Sequence, residues 1–148
     1  MQGALHLTYH QDNDGTGKLH AVVSANGFAG RGAAWFGDAQ LATFADSLLA
    51  FPLPGDGLPL LKGGYWDKEQ RGELEQLHLS LHFYPIGGRG TVGCRVVLRT
   101  PIAENEKVGD SVEVELRTSY QQLLEFSAKL KQLVKGEIRE AVLSGVAV

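Results

Sequence analysis

In Leu77-His78-Leu79-Ser80-Leu81-His82-Phe83 every second side chain is apolar, the period of a strand with one face in a core. Pro85 marks its end, and Ile86-Gly87-Gly88-Arg89-Gly90 reads as a turn. Thr91 to Thr100 makes a second strand. Ser111 to Thr118 makes a third, with Val112, Val114 and Leu116 opposite Glu113, Glu115 and Arg117. A helix follows from Ser119, striped by Leu123, Phe126, Leu130, Leu133 and Val134, with a C-terminal stop at Gly136.

The N-terminal half carries the same pattern. Leu5-His6-Leu7-Thr8-Tyr9-His10 matches the strand above, the turn formers of residues 11–17 follow, and a second strand runs from Lys18 to Ser24. Asn26-Gly27 is a tight-turn signal. The next strand, Phe28 to Phe36, holds Gly30 and Gly32, the mark of a bulge or of close approach by another backbone. A helix capped by Asp38 places Leu41, Phe44 and Leu48 at the spacing of Leu123, Phe126 and Leu130, and Pro52 and Pro54 stop it. Between the halves, Leu60-Leu61-Lys62 and Tyr65-Trp66 form a short strand around Gly63-Gly64. The tail 137–148 reads equally as a helical turn or a strand. The pattern predicts one α+β domain over residues 1–148, a curved antiparallel sheet of six or seven strands with two helices packed on one face. Residues 1–54 and 74–135 stand as candidate halves of a β-β-β-α duplication.

Composition narrows the function classes. The chain has 148 residues, 43% hydrophobic and 21% charged, with a net charge of -3, so it has length and apolar content for its own core. The acidic balance argues against nucleic acid as partner. There is no long apolar run and no basic-then-apolar leader, so the expectation is a cytoplasmic protein without a membrane partner. A lone thiol, Cys94, excludes an internal disulfide and sits in a strand pattern, where a small buried residue is expected.

Histidine is the residue type that invites chemistry. His6 and His10 share one strand face, as do His78 and His82. Residues four apart on a strand stand roughly 13 Å apart, too far for one metal with bonds of about 2.0–2.1 Å. A metal site needs His6 or His10 to meet His78 or His82 across adjacent strands; otherwise the four line polar sheet faces. The carboxylates Asp67, Glu69, Glu73 and Glu75 alternate with Lys68 and Arg71, the pattern of a solvated loop. Gly87-Gly88-Arg89-Gly90 precedes a strand, whereas phosphate loops feed a helix. No catalytic motif is present, and no cofactor is implied. Trp35, Tyr65 and Trp66 at element edges are candidate partner-binding aromatics, with Asp12, Asp14, Glu73 and Glu75 as the acidic contribution that steers a cationic partner.

Residues 28–36 (Phe28-Ala29-Gly30-Arg31-Gly32-Ala33-Ala34-Trp35-Phe36), the helix from Leu41 to Phe51 and the helix from Tyr120 to Leu133 together resemble small bacterial proteins related to WapI-type immunity proteins of contact-dependent toxin systems. That resemblance implies an antiparallel α+β domain that binds a protein and does no chemistry. The leading expectation is thus a non-enzymatic protein-binding domain, an immunity-type inhibitor in its most concrete form. The alternatives are a small-ligand or metal-binding module on a histidine-lined face, and an enzyme of unrecognised type. A possible repeat and apolar edges add a homodimer to the expected partners.

Overall fold

The computed structural model describes residues 3–69, 72–103, 105, 106 and 109–146. In chain order the elements are β1 (Ala4–Gln11), β2 (Thr16–Ala25), β3 (Phe28–Gly37), α1 (Asp38–Ser47), β4 (Leu60–Trp66), β5 (Leu74–Ile86), β6 (Thr91–Arg99), β7 (Ser111–Ser119), α2 (Tyr120–Val134) and β8 (Ala141–Ser144). They form two four-stranded antiparallel sheets, ordered β3-β2-β1-β8 and β4-β5-β6-β7. The α+β class and antiparallel pairing follow the sequence pattern. The single curved sheet of six or seven strands does not: there are two sheets and eight strands.

The element order is β-β-β-α-β, twice. In each half three strands form a meander, a helix follows, and a fourth strand pairs with the first strand of the other half. Thus β4 joins β5, with Leu61 opposite Leu81, and β8 joins β1, with Leu5 opposite Leu143. The undecided tail is therefore a strand over Ala141–Ser144, while Ala147 and Val148 lie outside the described residues.

The two sheets stay separate because β3 lies across the second sheet instead of beside it. Glycine and alanine make that crossing possible. A Cβ on Gly30 would stand 2.4 Å from Val112 Cγ1 of β7, and one on Gly32 would stand 3.2 Å from Leu98 Cβ of β6 and 3.3 Å from the His78 carbonyl of β5. On β4 the roles reverse: a Cβ on Gly63 would stand 2.7 Å from the Phe36 ring and 3.0 Å from Ala34 Cβ. A larger residue at these positions would hold the strands apart.

The inner faces of both sheets and the stripes of both helices share one core, with Leu5, Leu7, Leu19, Leu79, Leu81 and Phe83 fully enclosed. Phe83 of β5 packs between Phe44 of α1 and Phe126 of α2, with centroids 6.0 and 6.4 Å away. The helices pack on each other through a buried bond from Ser127 Oγ to the Ala45 carbonyl, 2.6 Å, and the Lys131–Asp46 ion pair. Ser119 caps α2, its Oγ accepting from the Gln122 amide at 3.2 Å, and Gly136 turns the chain away at φ +76°. Two local expectations need correction. The residue capping α1 is Gly37; Asp38 is the first helical residue, and its carboxylate is taken by Tyr9 Oη and Gln11 Nε2. Pro85 does not end its strand either, because β5 continues to Ile86 and the turn falls at Gly87–Gly90, where Gly87 and Gly90 have positive φ.

Filling the crossing should be costly. Gly63→Ala is expected to lower unfolding free energy by about 1–3 kcal/mol through overpacking, whereas Gly88→Ala, with nothing within 4 Å of the added carbon, should stay within about 0.5 kcal/mol. Urea denaturation of the two variants checks the difference.

Candidate interaction surface

The four histidines occupy matched places in the two halves. His6 and His10 lie on β1, His78 and His82 on β5. These strands are the inner members of different sheets and never neighbours, so the cross-strand meeting that a shared metal site needs does not occur. His10 instead meets His20 of β2, which sequence reasoning passed over, with ring centroids 5.0 Å apart. His20 stands opposite Thr8, a diagonal neighbour of His10. Only the hairpin register could have revealed that contact. Among the described residues no group of three or more His, Cys, Asp or Glu side chains converges as a metal cluster would.

The outer face of the first sheet is built in rows set by strand register. His10, Lys18 and Trp35 form one row, Thr8, His20 and Ala33 the next, and His6, Val22 and Arg31 the third. Ala34 and Phe36 point into the core, so alternation turns Trp35 outward, where it is 51% exposed; Val22, two rows away, is 48% exposed. β1, β2, β3 and β8 contain no carboxylate. Among the described residues Lys18 and Arg31 make no ion pair, and His6 alone finds an acid, Glu140 at 3.2 Å on the rim. Partial burial holds the His20 imidazole below its ordinary range, with His10 and Lys18 adding to the effect. Asp14, at the hairpin tip beyond this face, accepts from both the amide and hydroxyl of Thr16, which keeps its carboxyl low and fixes the turn.

The outer face of the second sheet carries a charge cluster on β6 and β7, while Lys62 of β4 and Arg99 of β6 make no ion pair among the described residues. Tyr84 Oη donates to Glu115, which also accepts from Arg117 Nε at 3.1 Å, while Arg95 lies 3.9 Å from both Glu113 and Glu115. The Tyr84 bond, then Arg117 and Arg95, keep the Glu115 carboxyl below its usual range. Two bulges shape the β4 side. Gly63 faces Leu79 and Gly64 faces Leu77, then Tyr65 faces Gln76 and Trp66 faces Leu74, so the extra residues are His78 and Glu75, both in β5. His78 is consequently enclosed at 3% exposure, its ring 4.5 Å from that of Tyr65 and its Nε2 3.0 Å from Gln76 Oε1. Desolvation pushes its pKa below the ordinary 6.5. His82 packs on Tyr84, and its Nε2 is enclosed without a hydrogen-bond partner among the described residues.

The seven expected partner-binding residues fall into two groups. Trp35, Asp12 and Asp14 gather at the hairpin end of the first sheet; Tyr65, Trp66, Glu73 and Glu75 share the β4–β5 hairpin, with both aromatics about half exposed. A cleft of about 400 Å³ beside that hairpin is lined by Glu75, Gln76, Arg99, Ile102 and Asp110 among others. Cys94 is fully buried, and desolvation pushes its thiol far up, so it is not a thiolate at neutral pH. Among the described residues no helix is long and apolar enough to cross a membrane. No protein-family model matches the chain, and comparison with curated proteins finds no relative.

A buried neutral imidazole makes stability depend on pH with a definite sign. Because the folded pKa of His78 lies below 6.5, the unfolded chain takes the proton first. Its contribution is complete above that value and is lost as pH falls below it. Thermal unfolding should therefore shift downward between about pH 7 and pH 5, and His78→Gln should flatten that slope, with His20→Gln flattening it further.

Proposed function

We propose that this protein is a non-enzymatic protein-binding domain that presents the outer face of its first sheet to a partner. The carrying observation is Trp35, half exposed on the edge strand β3 at the hairpin end of a face whose strands also carry Lys18, Arg31 and three histidines and no carboxylate. A rigid indole with the unpaired Lys18 directly opposite it and Arg31 two rows along has the composition of a binding hot spot, and an acidic protein surface is its complement. An immunity-type inhibitory role, which the sequence resemblance implies, is the concrete form of this reading. Its support is an exposed aromatic on a rigid sheet. The carboxylates once assigned to steering are divided between the β1–β2 turn (Asp12, Asp14) and the β4–β5 hairpin (Glu73, Glu75), and none stands on the strands of this face, which favours an acidic partner over a cationic one.

Trp35→Ala and Arg31→Ala remove exposed side chains and should leave the circular dichroism spectrum unchanged. With a partner recovered by affinity capture and purified, calorimetric titration should show at least about tenfold weaker binding for Trp35→Ala, a loss of roughly 1.4 kcal/mol or more. Affinity should also fall with added salt. Equal affinity for wild type and both variants would remove this face from consideration.

A second reading rests on the His10–His20 contact. Two imidazoles 5.0 Å apart on an open face can offer two nitrogens to a borderline metal ion, with solvent completing the shell. Zinc titration followed by thermal shift tests it: stabilisation by zinc that disappears in His20→Ala favours a metal-binding module, and no shift in the wild type removes it.

A further inference from the structure

We infer that two copies of this chain associate through the free edge of β4, pairing antiparallel about a twofold axis at Gly63. This interface lies away from the outer face of the first sheet and is independent of the partner reading above. β4 pairs with β5 along one side only. Among the described residues its other edge receives no backbone or side-chain hydrogen bond. The edge of β7, by contrast, is occupied: Val146 N donates to the Arg117 carbonyl, Thr118 Oγ1 to that of Ser144, and Asn26 Nδ2 to that of Glu115.

Natural edge strands are blunted by proline, bulges or charge. β4, Leu60-Leu61-Lys62-Gly63-Gly64-Tyr65-Trp66, has no proline, and its one charge, the exposed Lys62, falls opposite Gly64 of the second copy, where no side chain opposes it. The bulges beside it place their extra residues in β5, so β4 itself remains regular. It is a seven-residue pairing template with four exposed side chains.

What selects a second copy is the complementarity of the strand's two ends. Before its first residue lies an unfilled apolar cleft of about 470 Å³ between α1 and the incoming chain, with Ala39, Thr43, Phe44, Ser47, Leu58 and Leu60 among its walls. At its other end stand Tyr65 and Trp66, 51% and 44% exposed, with Leu58 and Leu60 similarly uncovered at 56% and 37%. A twofold axis at Gly63 sets Leu60 of one copy opposite Trp66 of the second, and Leu61 opposite Tyr65. Alternation brings Tyr65 in on the Leu61 side of the other copy's cleft and Trp66 on the Leu60 side, and each contact is made twice, as an isologous interface requires. The glycine at the centre presents no side chain between the strands. The two aromatics withdraw roughly 200 Å² per copy, about a quarter of the ~800 Å² that a stable interface buries per partner. The strand edge, Leu58, Leu60 and the cleft walls supply further contact, and the two β4–β5–β6–β7 sheets become one continuous eight-stranded sheet.

Sedimentation equilibrium on the full chain, from about 1 to 100 µM, tests the inference, with circular dichroism confirming each variant's fold. The wild type should have twice the 16.0 kDa chain mass. Trp66→Glu and Leu60→Lys, each placing a charge against an apolar partner, should weaken the dimer at least about tenfold. The double variant Leu60→Lys/Trp66→Glu should recover it, since the inferred register sets lysine against glutamate at both ends. A wild type that stays monomeric overturns the inference. So does a dimer that both single variants leave intact, or a double variant that stays monomeric where the singles do.

Discussion

The exchange of closing strands is the constraint on which the structure rests. Each half makes a three-stranded meander and a helix, and the strand that follows the helix is delivered to the opposite half. Without β4, β5 would have an open edge; without β8, β1 would. The chain ends are thereby joined, Ala4 facing Ser144 across the β1–β8 pair, and neither half completes a sheet alone. The core follows from the same exchange. Phe83 contacts a helix from each half, and a buried hydroxyl of α2 bonds to α1, so the two units form one cooperative body rather than two domains in contact. Pairings between residues more than a hundred positions apart impose a loop-closure cost that local hairpins avoid. The hairpins β1–β2, β2–β3 and β5–β6, with their glycine-bearing turns, are the elements able to form before that closure.

Much of this was legible because alternation and helical spacing are local. The face assignment of β1, β2, β5 and β7, the Ser119 cap, the Gly136 stop and the Asn26-Gly27 turn, where both residues have positive φ, needed only near neighbours. Gly30 and Gly32 were legible as points of close approach, though not what approaches. What could not be read was partnership between distant segments. A period of two says which face a side chain takes, not which strand lies beside it. The number of sheets, the destination of β4 and the pairing of Val142 and Leu143 were therefore hidden. Asp38 shows the same limit. A cap assignment is natural for an aspartate before a helical stripe, but its carboxylate is claimed by Tyr9 and Gln11, 29 and 27 residues away.

The candidate sites were legible in part for the same reason. Alternation turned His6, His10 and His82 away from the core and Trp35 toward solvent, but His78 is buried at 3% exposure. It could not say that the histidine pairs would face outward from different sheets, nor that His20 would stand beside His10. The burial of His78 was also out of reach. It depends on a bulge opposite Gly63-Gly64 and on the Tyr65 ring that covers the imidazole. The glycine pair was the visible signal, since glycine within a strand often marks such an irregularity.

Two sheets of matched topology carry opposite surface chemistry, and that contrast is informative. On the second sheet the guanidinium groups of Arg95 and Arg117 lie beside Glu113 and Glu115, and Tyr84 donates into the same cluster. Such exposed pairs add little stability, and Lys62 and Arg99 of the same sheet stay outside them among the described residues. On the first sheet Lys18 and Arg31 have no counterpart on any strand of that sheet, because its strands contain no acid. The shared architecture demands only that outward positions be compatible with water. It does not explain why acids stand among the cations of the second sheet while the strands of the first hold none and leave an indole exposed at the edge. Recognition of an acidic surface, as proposed above, would give that difference a purpose.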